Sequence, residues 1–210
     1  MATTEKTLYD KSLDNLSEHH ESEEHLATTT GLDSRKLVIW LFIASEVLFF
    51  TGLISTYLVY RGAVPREQGV GHLDLTVASI NTFILLMSSM TMVTALAAIR
   101  DGKTSRMRLW LIATAVLGLV FLGGQVYEYS LLFNEGVSLG TNLFSSTFFT
   151  TTGFHGTHVL IGVIWIVSVL LRAFRGGVTP ENNLSVEMVG LYWHFVDIVW
   201  VVLFTVIYLI

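Results

Sequence analysis

Five long apolar runs separated by short polar connections dominate the chain, and a polar stretch precedes them all. The runs cover Lys36–Tyr60, Leu73–Ile99, Leu109–Phe133, Leu143–Leu171 and Val186–Ile210. Each exceeds the ~20 residues that a helix needs to cross a bilayer core. The connections carry glycine, proline and asparagine, as in "RDGKTSR" and "RGGVTPENN", and these residues interrupt a helical pattern. Short connections make consecutive helices antiparallel neighbours. The pattern therefore predicts an all-α polytopic membrane protein, a bundle of five transmembrane helices. No internal repeat is evident.

Composition reinforces that reading. The chain is 52% hydrophobic, and its mean hydropathy of +0.61 is that of a membrane protein rather than a soluble domain. Basic residues then orient the bundle, because they concentrate on the cytoplasmic side of membrane proteins. One side holds Lys6, Lys11, Arg35, Lys36, Arg100, Lys103, Arg106, Arg108, Arg172 and Arg175; the other holds only Arg61 and Arg66. The N-terminus is expected in the cytoplasm and, with an odd number of spans, the C-terminus outside. Residues 1–35 form an acidic cytoplasmic tail whose first 34 positions carry eight acids, two lysines and three histidines. Low apolar content with high charge predicts a solvated, weakly ordered segment. The polar start does not read as a cleaved signal, and "HHESEEH" within it reads as a solvated charge run.

The informative residues are the polar ones at membrane depth, where each needs a compensating partner. Glu46, in "FIASEVLFFTGL", lies ten residues past Lys36, near the bilayer centre. Its environment must protonate, hydrate or pair it, and it is a candidate for proton relay or lipid contact. His155 and His158, in "TTGFHGTHVLIGVIW", share a helix face at a spacing of three. Gly153, Gly156 and Gly162 beside them admit a neighbouring backbone. In "YWHFVDIVWVVLF", His194 and Asp197 also stand three apart. The aspartate could orient that imidazole, or both could reach across to His155 or Glu46. Gln125 and Glu128 share a face near the end of the third run, with Glu128 expected to reach toward water. Trp165, Trp193 and Trp200 read as packing and belt residues, and Met87, Met90 and Met92 as core filler.

Several chemistries are disfavoured. The chain has no cysteine, so thiolate metal sites, disulfides and cysteine nucleophiles are absent. His155, His158 and His194 are too few for a haem–copper or di-iron site, so interhelical hydrogen bonding is the better reading of them, with a membrane metalloenzyme as the competing one. A histidine–aspartate pair without a nucleophile elbow does not make a hydrolase. No basic patch with interleaved aromatics points to nucleic acid. A small proton-coupled transporter using Glu46 and Asp197 remains a reading of a different class.

Four segments, "SEVLFFTGL", "GQVYEYS", "TGFHGTHVLIGVIW" and "YWHFVDIVWVVLFTVIYL", together resemble subunit III of the haem–copper oxidases over residues 36–210. The chain is similar to the short bacterial form with five helices; the long form has seven, in groups of two and five around a lipid-filled cleft. The resemblance implies a non-catalytic subunit of an oxygen-reducing, proton-translocating complex of the aerobic respiratory chain, in the bacterial plasma membrane. It implies no cofactor in this chain, with haems and copper in partner subunits and phospholipid as a bound ligand. It implies direct packing on subunit I, with subunit II and small subunits in the same assembly, and support of assembly, proton uptake and turnover stability. Glu46 matches the family's intramembrane glutamate; His155, His158, His194 and Asp197 match its motif positions, and with Gln125 and Glu128 are expected to be structural. "GFHG" and "YWHFVD" look more like cytochrome c oxidases than quinol oxidases.

Overall fold

A computed structural model describes residues 34–61 and 74–210. Among these, the chain forms five helices: α1 (Ser34–Arg61), α2 (Leu75–Arg100), α3 (Thr104–Asn134), α4 (Leu143–Phe174) and α5 (Leu184–Phe204). A π-helical turn, Thr205–Leu209, continues α5. Each of the five is long and apolar enough to cross a membrane, so the expected bundle of membrane-spanning helices is what the chain builds. The acidic tail, including "HHESEEH", and Arg66 lie outside the described residues apart from Ser34 and Arg35.

Helix ends and apolar runs do not coincide. α3 starts at Thr104, ahead of Leu109, and α4 continues to Phe174, past Leu171. Apolarity marks where hydrocarbon begins, whereas helix ends are set by capping. At the start of α2, the Asp74 carboxylate accepts from the backbone N–H groups of Thr76 (2.8 Å) and Val77 (3.3 Å). Asn142 accepts from the Ser145 N–H at 2.7 Å and caps α4 in the same way. α2 and α4 stop at glycines held at positive φ, Gly102 (75°) and Gly176 (78°). There the next N–H reaches back five residues, Lys103 to the Ala98 carbonyl (2.8 Å) and Gly177 to that of Arg172 (2.9 Å).

By its contacts the chain divides between Ala44 and Ser45, inside α1. Residues 34–44 are the opening turns of that helix. In the unit Ser45–Ile210, α2 packs on α3 and α5, α3 on α4, and α4 on α5, which closes a ring of four helices. Trp193 of α5 locks it. A side-chain carbon placed on Gly118 of α3 or Gly162 of α4 would come within 2.6 and 2.9 Å of the indole. The indole N–H donates to Ser88 of α2 at 2.9 Å. One residue therefore engages all three other helices of the ring. Helices without a water-driven apolar term associate through such close packing and interhelical hydrogen bonds. Trp200 repeats the device, donating to Thr82 of α2 at 3.0 Å. Of the three methionines read as filler, Met92 is buried, whereas Met87 and Met90 face outward.

Candidate functional site

Glu46 lies 12 residues after the start of α1 and 15 before its end, about 18 and 22 Å along the axis. Its Oε2 meets Nε2 of His158 on α4 at 3.1 Å, and both side chains are mostly buried. The other ring nitrogen, Nδ1, lies 2.7 Å from the Phe154 carbonyl oxygen. A carbonyl only accepts, so Nδ1 carries a hydrogen. The contact between Nε2 and Oε2 then needs one proton, either on the carboxyl of a neutral pair or on the imidazole of an ion pair. The arrangement holds a single shared proton at mid-membrane depth. Phe50 and Phe49 collar it, with ring centroids 5.1 and 6.4 Å from the imidazole.

His155, one turn back, does not join this pair. It is fully buried, and its Nε2 hydrogen-bonds the Val196 carbonyl of α5 at 3.1 Å. Its ring lies against Trp200 and Phe121, at centroid distances of 4.8 and 5.7 Å. The two histidines thus serve different neighbours, His155 tying α4 to α5 and His158 reaching α1.

Gln125 and Glu128 belong to a buried polar layer further along α3. Gln125 Nε2 donates to the Thr152 carbonyl (2.7 Å) and to the Tyr129 hydroxyl (3.1 Å). That hydroxyl also meets Thr152 Oγ1 at 2.6 Å. Gly156 is needed here, because any side chain on it would run into the Gln125 amide. Glu128 corrects the expectation of a side chain reaching for water: it is only 6% exposed and accepts from Tyr208 at 2.8 Å. The π-helical turn that carries Tyr208 closes the end of α5 over it.

His194 and Asp197 reach neither His155 nor Glu46. Their neighbour is Ser89 of α2, whose Oγ lies 3.1 Å from His194 Nδ1, with the Asp197 carboxylate near that hydroxyl. The serine meets the histidine at Nδ1, the nitrogen that the aspartate holds in a catalytic triad, so the arrangement is not a triad. Among the described residues, no three histidine, aspartate or glutamate side chains gather into a group that could hold a metal.

The sequence reading missed Ser89, Tyr208 and Thr152. A polar residue inside an apolar run was the available signal for each. "SSM" in the second run offered two adjacent serines, and the structure sends Ser88 inward to Trp193 and Ser89 to His194.

The family model described as cytochrome c oxidase subunit III matches residues 13–210. The chain is 42% identical to a cytochrome c oxidase subunit 3 of Synechocystis sp. over 84% of its length and 76% of the relative's. Identity is also 42% to the cytochrome c oxidase subunit 3 of Thermostichus vulcanus, over 84% of this chain and 88% of that one. A quinol oxidase subunit 3 of Bacillus spizizenii is 37% identical over 82% of this chain and 85% of its own. Five membrane-crossing helices carrying these intramembrane polar positions, matched across nearly the whole chain, make it a multi-pass membrane protein that belongs to the cytochrome c oxidase subunit III family.

Proposed function

We propose that the chain is the cofactor-free subunit III of a proton-pumping haem–copper terminal oxidase in a bacterial plasma membrane. It carries no catalytic residue of its own. Haems and copper reside in partner subunits; it packs directly on subunit I, alongside subunit II and small subunits, with its N-terminus in the cytoplasm. It supports assembly, proton uptake and the turnover lifetime of subunit I, and phospholipid is the ligand class it can bind.

The observation that carries this reading is the Glu46–His158 pair. It holds one proton at mid-membrane under a collar of phenylalanine, and no metal ligand set accompanies it among the described residues. Glu46 is the proton-uptake or lipid-contact group, and His158 is its positioning residue. His155, Gln125, Glu128, His194 and Asp197 join helices.

Co-purification tests the assignment. Haem-bearing chains should accompany the tagged subunit out of the membrane, and the separated chain should show no haem absorbance; stoichiometric haem in the separated chain would overturn it. Proton flux through the reconstituted chain alone would favour a transporter instead. For the electron donor, the two relatives at 42% identity, both cytochrome c oxidase subunits, support cytochrome c, while the quinol oxidase relative at 37% favours a second reading. Oxygen consumption by the purified complex with reduced cytochrome c and with quinol separates them.

A further inference from the structure

Most outward-facing hydroxyls of this bundle are satisfied within their own helix. Thr51, Thr56, Ser79, Thr94, Thr157 and Ser168 each donate to the carbonyl four residues earlier, at 2.7–2.9 Å. Such a residue offers nothing to a neighbour and can face lipid. Ser89 departs from that pattern, because its hydroxyl is spent on His194 across the seam between α2 and α5.

That cluster retains hydrogen-bonding capacity. His194 is half-buried, and its Nε2 has no partner among the described residues. Asp197 is 6% exposed and its Oδ1 is buried, so the imidazole Nε2 is the group this cluster offers outward. Ser89 lies 14 residues into the 26-residue α2, so this capacity sits near the middle of the membrane. Facing lipid, it would be costly, since ionisable groups at that depth turn to protein or to a water-filled cavity.

The surroundings suit a protein surface. Residues three or four positions from Ser89 or His194 lie on the same helix faces. Leu86, Val93 and Ile198 occupy such positions, and all are exposed and apolar. A polar centre within an apolar rim is the layout of a specific contact between helices.

We propose that the α2–α5 seam centred on Ser89, His194 and Asp197 is where another transmembrane subunit of the oxidase docks, through a helix bearing a hydrogen-bonding side chain at this depth. The proposal rests on the reading of the chain as an oxidase subunit and adds which face does the docking. The partner is a membrane-spanning protein, since lipid tails offer the cluster no hydrogen bond.

A photo-crosslinking amino acid placed at Val93 or at Ile198 of the assembled oxidase tests it. Irradiated membranes are extracted, the complex is purified by a tag on this chain, and the adducts are identified by mass. Adducts to a second protein chain at both positions are expected. Adducts to lipid alone, while a haem-bearing chain still co-purifies, would overturn the docking face and leave the subunit reading standing. Absence of any co-purifying chain would overturn both. The double variant Ser89→Ala, His194→Phe should lower the recovery of the partner chain relative to this one, whereas Thr94→Val should not. Unchanged recovery in the double variant would count against the seam.

Discussion

Two carboxylate–imidazole sites lie at mid-membrane in this chain, and they are built in opposite ways. Glu46 and His158, 112 positions apart on α1 and α4, bond directly at 3.1 Å beneath Phe49 and Phe50. His194 and Asp197, three apart on α5, do not bond each other; His194 meets Ser89 on another helix, with the buried Asp197 carboxylate near that hydroxyl. Proximity in sequence favoured the second pair; direct bonding belongs to the first. At a spacing of three, two side chains share a face, and a shared face commonly means a shared partner on the next helix.

Trp193 bears on both sites, and its loss should have the largest effect. Its indole fills the space between Gly118 and Gly162. Gly162 is one turn beyond His158, and Trp193 itself precedes His194. Trp193→Ala should cost about 3–5 kcal/mol, the usual range for emptying a large aromatic site. Thermal inactivation of the purified complex measures it. Loss confined to one site would show that the register between α4 and α5 does not support both.

Next is the direct pair. His158→Leu leaves a carboxyl facing phenylalanine rings without its partner, a change costing about 1–3 kcal/mol. Glu46→Gln keeps a hydrogen-bonding group and should leave assembly intact, yet it removes the exchangeable proton. Oxygen consumption followed to inactivation should show a shorter turnover lifetime. An unchanged lifetime together with unchanged proton uptake would remove Glu46 from the functional residues. A double-mutant cycle between Glu46→Gln and His158→Gln sharpens the comparison. Its coupling should exceed that between His194→Gln and Asp197→Asn, since only the first pair bonds directly.

These contrasts show what could be read from the sequence and what could not. The five helices were legible because lipid demands long apolar runs with few charges, and that demand is local. Glu46, His158, His194 and Asp197 stood out for the same reason, as ionisable residues in hydrocarbon-length segments. Partner choice was not legible, because it depends on the rotation of each helix about its axis. No local rule tells that His158 turns to α1 while His155, one turn away, turns to α5. Ser89 was hidden more deeply. A serine in an apolar run commonly satisfies itself on its own helix, as Ser79 and Ser168 do. Glu128 is held inside by a residue no local pattern connects to it: Tyr208 arrives from 80 positions away.

The Ser89–His194 site should respond more weakly than the Glu46–His158 pair. Ser89→Ala removes the hydroxyl that ties α2 to His194, and interhelical hydrogen bonds in membrane proteins average about 0.6 kcal/mol, reaching about 1.7. Asp197→Asn should fall in the same range and weaken docking of α5; a variant that assembles and withstands detergent like the parent would count against that role.

The smallest effect is expected where a hydroxyl serves only its own helix. Thr157 stands one position from His158, yet its Oγ1 donates to the Gly153 carbonyl at 2.9 Å, and the residue is exposed. Thr157→Val removes that bond without uncovering any other group. The carbonyl keeps its helical N–H, and valine keeps the branched shape that threonine already imposes on the helix. The change should therefore lie within about 0.5 kcal/mol, measured by thermal inactivation beside Ser89→Ala. If Thr157→Val weakens the complex as much as Ser89→Ala does, outward hydroxyls act alike whatever they bond, and the distinction between a self-satisfied surface and an open seam loses its physical basis.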